Sequence, residues 1–221
     1  MDFVFMLTRS DQTVPDCLEV LDEILPLGLR HIGFKDVGVP PEVLAELARR
    51  IKAAGATSYM EVVSTSREAC LQSARVARDI AIDRLLGGTQ VEDVLAILAG
   101  SRVAYLPFPG RPFEHPTKLG GTAAQVEDDC RRFQALGCAG VDLLAYRATE
   151  ADPLALVRAA RRGMTGTLLV AGSVQTADQI RALADAGADA FTIGSAAFDG
   201  SFAPRMGSLR SQLRAVLDAC K

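Results

Sequence analysis

The chain has 221 residues and contains no tryptophan, three tyrosines and two histidines. These scarcities exclude several functions before any motif is read. Little aromatic surface, a formal net charge of -3 and no basic run leave neither the stacking platform nor the electrostatic footprint of a nucleic-acid binder. The cysteines Cys17, Cys70, Cys130, Cys138 and Cys220 are odd in number and form no CxxC pair, so they read as reduced packing thiols. With so few histidines, no zinc or other metal site is expected. No GxGxxG turn offers itself to a dinucleotide, and no cofactor is expected. Residues 1–7 are apolar but far too few to span a bilayer, with Asp2 where a secretory leader carries positive charge, so the expected location is the cytoplasm, away from any membrane.

What the chain does have is apolar residues, 49% of the total, enough for one substantial core and few for two domains. Short apolar runs alternate with stretches of helical spacing. Strands are expected at 4–8, 31–35, 58–63, 83–87, 103–108, 141–146, 168–171 and 188–193. Pro15 and Pro40-Pro41 open helices, Gly28 and Gly55 close them, and Thr89/Glu92, Thr122/Gln125 and Thr176/Gln179 have the spacing of capping boxes. Residues 110–121, GRPFEHPTKLGG, form the longest stretch without periodicity and read as a loop over a site. Eight strand-helix units with short connections predict an α/β fold, a single (β/α)8 TIM barrel over residues 1–221.

An internal repeat suggests which residues face the mouth. Similar joins precede the even-numbered strands: Gly28-Leu29-Arg30, Ala81-Ile82-Asp83, Gly140-Val141-Asp142 and Gly187-Ala188-Asp189. Overlaying them puts Lys35, Gly88, Arg147 and Gly194 in one layer at the mouth, because alternate strands of a barrel share layers. The same overlay puts Asp83, Asp142 and Asp189 at the opposite rim, where a structural role is expected, and His31 in the bottom layer as a structural histidine. Glu61 on strand three is a carboxylate in an apolar run and needs a partner. It is either half of a buried ion pair with Lys35 or a general acid/base, with Lys35 stabilising an enolate or forming a Schiff base. A nearby Arg147 would lower the pKa of such a lysine. Asp36 either orients Lys35 or faces solvent. His115, inside the lid-like segment, is a candidate acid/base; a solvated loop residue is the alternative.

At the other side of the mouth, two small-residue turns, Gly172-Ser173 and Gly194-Ser195, follow strands seven and eight. Parallel strands bring both to one edge of the barrel, where backbone N–H groups and a helix N-terminus can hold one anion. Gly172, Ser173, Gly194 and Ser195 are the expected phosphate-binding residues.

This arrangement resembles the phosphate end of the ribulose-phosphate-binding barrels, among them ribulose-phosphate epimerase, thiamine-phosphate synthase and the tryptophan- and histidine-pathway barrels. HIGFKDVG is similar to the HxDxMDG of ribulose-phosphate 3-epimerase, and VAGS to that family's VDGG. Gly33 and Ala171 stand in place of the two metal-binding aspartates, so the metal-assisted epimerisation is not implied. The DxKxxD array of the orotidine-phosphate and ketogulonate-phosphate decarboxylases is absent too. FKDVG, EVVS and LLGGT also resemble short barrels labelled 4-hydroxythreonine-4-phosphate dehydrogenase, a family that uses a histidine-bound metal, for which this chain lacks the histidines. The expected function is a metal-independent enzyme acting next to the carbonyl of a phosphorylated sugar or short polyol, as an aldolase-type lyase or an isomerase. The alternative is a non-catalytic barrel that binds an anionic metabolite, or a subunit of a larger assembly; a homo-oligomer is compatible with either.

Overall fold

The computed structural model describes residues 1–221. Eight strands, β1 (Asp2–Met6), β2 (His31–Lys35), β3 (Thr57–Glu61), β4 (Arg84–Leu86), β5 (Ala104–Leu106), β6 (Gly140–Leu143), β7 (Thr167–Val170) and β8 (Ala190–Ile193), form one sheet in the order β6-β7-β8-β1-β2-β3-β4-β5. Every ladder in it is parallel. The two ends meet: the Ala139 N–H donates to Tyr105 O and the Asp142 N–H to Pro107 O, each at 3.0 Å, which closes β6 on β5 and completes the expected barrel. No helix is long and apolar enough to cross a membrane.

The helices α1 (Cys17–Ile24), α2 (Pro41–Ala53), α3 (Arg67–Asp79), α4 (Val91–Leu98), α5 (Ala123–Ala135), α6 (Pro153–Gly163) and α7 (Ala177–Ala186) connect the strands, and α8 (Ser195–Phe198) and α9 (Leu209–Ala219) follow β8. Their apolar stripes explain why they form. On α2, Leu44, Leu47, Ala48 and Ile51 recur at helical spacing and all are buried. Each such large side chain contributes roughly 1.5–3 kcal/mol by leaving water. The boxes Thr122/Gln125 and Thr176/Gln179 are present as expected, and Ser208/Ser211 adds a third. Thr89/Glu92 is not a box: Gly87 and Gly88 both take positive φ, and α4 starts later, behind Gln90, without a side-chain cap.

Two stretches differ from their sequence pattern. Residues 110–121 are not irregular; Arg111–Phe113 pairs antiparallel with Lys118–Gly120. The hairpin docks through buried Leu119, which bridges to Ala148 and whose carbonyl accepts from the Thr149 N–H. A second small hairpin, Thr8–Arg9 with Gln12–Thr13, follows β1, and at its tip Ser10 and Asp11 both have positive φ.

Helix ends correct the repeat in one place. Ile82, Cys138 and Ala188 each donate, at 3.0 Å, to the carbonyl five residues earlier, and each follows a residue of positive φ, namely Ala81, Gly137 and Gly187. Cys138 therefore matches Ala188, and the overlay on Gly140 was three residues out. Asp142 is then level with Leu86 and Thr192, inside the barrel rather than at its rim. Leu144, not Arg147, is level with Gly88 and Gly194. Strand six ends at Leu143, and Arg147 lies in the 3-10 turn Ala145–Arg147 that follows.

Candidate active site

Lys35 and Glu61 are the last residues of neighbouring strands and are paired in the ladder, so their side chains emerge together at the C-terminal mouth. Lys35 Nζ lies 3.1 Å from Glu61 Oε1 and 2.9 Å from Asp11 Oδ1. All three side chains are 8% exposed. Burial alone would lower the pKa of the Lys35 ammonium, but the charges of Glu61 and Asp11, with their hydrogen bonds, raise it above the usual lysine range. Thr13 fixes the backbone here: its hydroxyl donates to Lys35 O at 2.8 Å and accepts from Lys35 N–H at 2.9 Å.

Asp11 ties the mouth together. Arg147 approaches its carboxylate end-on, with both terminal nitrogens 3.0 Å from its two oxygens, and donates also to Thr117 O in the second hairpin at 3.2 Å. Such a bidentate pair is the stronger kind of ion pair. Burial would raise the Asp11 carboxyl, but Arg147 and Lys35 together hold it far below the usual carboxylate range.

Lys35, Glu61, Asp11 and Arg147 line a cavity of about 240 Å³ together with Gly172, Ser173, Gly194 and Ser195, with the Arg147 side chain packed against Gly172. Its volume is below the range of roughly 300–1,000 Å³ common for drug-sized ligands, so the occupant is small. The N–H groups of Gly172, Ser173, Val174 and Gly194 make no backbone hydrogen bond, leaving four donors at one rim. Gly172 and Ser173 take φ of 77° and 61°, so the chain leaves β7 through two successive residues in the left-handed region. Glycine is required at 172 on a second count: a Cβ there would lie 2.5 Å from Arg147 Nε. At 194 it would lie 2.6 Å from Thr8 Oγ1. No residue of α7 lines the cavity, so the donors at this rim come from the turns and not from that helix.

A family model, IMP dehydrogenase / GMP reductase domain, matches residues 46–221, well over half of the chain. The chain belongs to that family. No curated protein matches it in sequence. Among solved structures, this member of the family is similar to 3-hexulose-6-phosphate synthase, with 14% identity and a TM-score of 0.68 over 100% of both chains. The tryptophan synthase α-subunit of Pyrococcus furiosus gives 14% identity and 0.69, over 98% of each chain. The Amycolatopsis orientalis BexX/CysO complex gives 18% and 0.62, over 100% of this chain and 90% of that one. At these identities the likeness establishes the barrel fold.

Within this family member, seven of the eight site residues expected from sequence, Lys35, Glu61, Arg147, Gly172, Ser173, Gly194 and Ser195, line one cavity. His115 does not: it is exposed at the tip of the second hairpin and is absent from the lining, because pairing of the hairpin strands carries it outward. Asp36 makes no hydrogen bond to Lys35 and is half-buried; it accepts from the Val63 N–H at 3.0 Å and from the Ser73 hydroxyl, and burial pushes its carboxyl upward. Asp83 and Asp189 are at the N-terminal rim as expected, accepting from Ser58 and from Leu168 N–H and Arg161. His31 packs there against Tyr59, a structural place, with its pKa lowered by burial. Asp11 and Asp142 are the functional candidates that sequence reasoning missed. Asp11 sits in TRSDQT, which reads as a solvated turn, and only the return of Thr13 to Lys35 brings it inward.

Proposed function

We propose that the chain is an enzyme that moves a proton at the carbon next to the carbonyl of a phosphorylated sugar or short polyol, without a metal. The observation that carries this is the division of one small cavity into two chemically distinct sides. On one side are four unpaired backbone donors at Gly172, Ser173, Val174 and Gly194, suited to a phosphate. On the other is a buried carboxylate-ammonium pair, Glu61 and Lys35. The phosphosugar named in one similar structure, 3-hexulose-6-phosphate synthase, supports the same substrate class.

In this reading Glu61, as carboxylate, takes the proton from carbon, and the electron pair moves onto the carbonyl oxygen. The Lys35 ammonium stabilises that oxygen; the proton of the hydroxyl on the deprotonated carbon passes to it as the new carbonyl forms there, and Glu61 returns the first proton to the former carbonyl carbon. Two neighbouring carboxylates keep Lys35 protonated, which favours electrostatic stabilisation over imine formation and so the isomerase over the Schiff-base lyase. The test is incubation with phosphorylated ketoses and aldoses in D2O, followed by NMR. Exchange of the proton next to the carbonyl is expected, falling at least 100-fold in Glu61→Gln and Lys35→Met. Unchanged turnover in both variants would overturn these roles. A borohydride-trapped adduct on Lys35 would restore the lyase.

The second reading is a non-catalytic binder of an anionic metabolite. It is favoured by one observation: both cations of the mouth are already satisfied by Asp11. Tight binding without exchange or cleavage would select it.

A further inference from the structure

Asp142 on β6 has no exposed surface, and neither of its carboxyl oxygens has a hydrogen-bond partner. Its place is nevertheless close to the chemistry. Thr192, level with it on β8, and Leu144, two residues further along and just past the end of β6, both line the cavity. An ionised carboxylate with neither a donor nor solvent is far more costly than the neutral acid, so the geometry itself calls for a proton here.

The charged groups that act on Asp142 come from three directions: Glu61 at the end of β3, Lys35 at the end of β2, and Arg147 in the turn after β6. The flanking strands β5 and β7, AYL and TLLV, bring none. Burial first and the Glu61 charge second push the Asp142 carboxyl well above the usual range, against a weaker pull from Lys35 and Arg147. Charge balance agrees. Lys35 and Arg147 are matched by Asp11 and Glu61; a third carboxylate would leave an excess negative charge beside a cavity read as accepting an anion.

We propose that Asp142 is a positioning residue that holds a proton inside the barrel, so that Glu61 is left as the ionised carboxylate of the pair. The inference rests on the reading of Glu61 as the base, and it assigns to Asp142 the setting of that group's charge. Two carboxyl groups and one proton form a unit in which the proton has a fixed home.

Infrared spectroscopy of the protein through a pH titration tests this without a substrate. The expected result is a protonated-carboxyl band at neutral pH that is lost in Asp142→Asn and kept in Glu61→Gln. In Glu61→Gln the band should titrate at lower pH, because the repelling charge is gone. A band undiminished in Asp142→Asn overturns the proposal. So does a midpoint unmoved by Glu61→Gln, or a band that persists in both proteins to the alkaline limit of folding, since a merely buried acid would behave in those ways. Should Asp142→Asn fail to fold, carbon-13 carboxyl NMR of the wild-type and Glu61→Gln proteins reads the same titration directly. Failure to find any turnover would instead overturn the enzymatic reading and leave the infrared result standing.

Discussion

Asp11 carries more of the mouth than any other single side chain, because it is the shared partner of Lys35 and Arg147. Removing one member of a buried ionic set leaves the others uncompensated, so Asp11→Asn is expected to cost about 3 kcal/mol, checked by denaturant unfolding. The sign with pH follows from the direction of its shift. A carboxyl held below its unfolded range stabilises the fold above the unfolded pKa, and that stabilisation is lost as pH falls toward the folded value. Asp11→Asn should therefore remove part of the acid sensitivity, flattening stability against pH below about 4. Gly172→Ala is a second test at this scale. Its added Cβ meets Arg147 and its φ of 77° disfavours alanine, so a loss of about 1–3 kcal/mol is expected, together with weaker binding of sulfate by calorimetry.

At the scale of elements, the legible parts were those whose pattern is local. Thr176 and Gln179 announce the start of α7 because a capping box needs only four consecutive residues. Thr176→Ala should accordingly lower stability by about 1 kcal/mol, measured as a fall in Tm, without changing the site. The end of β6 was not legible, since Leu144 and Ala145 are buried whether the chain continues as a strand or turns, and an apolar run cannot distinguish the two. The hairpin at 111–120 was hidden for the opposite reason. Its glycines and prolines signal a turn everywhere, and what orders it is distant: Leu119 against Ala148 and Thr117 under Arg147. Leu119→Ala is expected to cost about 2–5 kcal/mol and to speed amide hydrogen exchange across the hairpin more than across the barrel strands.

For the whole molecule, the alternation of eight short apolar runs with helices was sufficient to read the barrel, and the meeting of the Gly172 and Gly194 turns at one cavity followed from where parallel strands must end. The ionic side of the mouth was read only in part. Lys35 and Glu61 stand at strand ends, where parity predicts their meeting, but Asp11 arrives by a turn and Asp142 by a register that two nearby glycines, Gly137 and Gly140, disguise. Asp142 also opposes Asp11 in its response to pH. Its raised carboxyl burdens the native state increasingly as pH rises above the unfolded value near 3.9. The stability difference between Asp142→Asn and wild type should thus shift in favour of the variant from pH 4 upward, as thermal unfolding at a series of pH values would show.

The turn that presents Asp11 gives the site a tethered competitor. Any anionic group that reaches Lys35 or Arg147 does so by exchange with a carboxylate already attached to the chain, at an effective concentration set by a short hairpin. Affinity at that end is then a difference between two similar interactions, whereas the backbone donors at Gly172 and Gly194 have no such rival. On the proposed reading, a ligand is held by its phosphate and only lightly gripped at Lys35, where the exchange with Asp11 takes place.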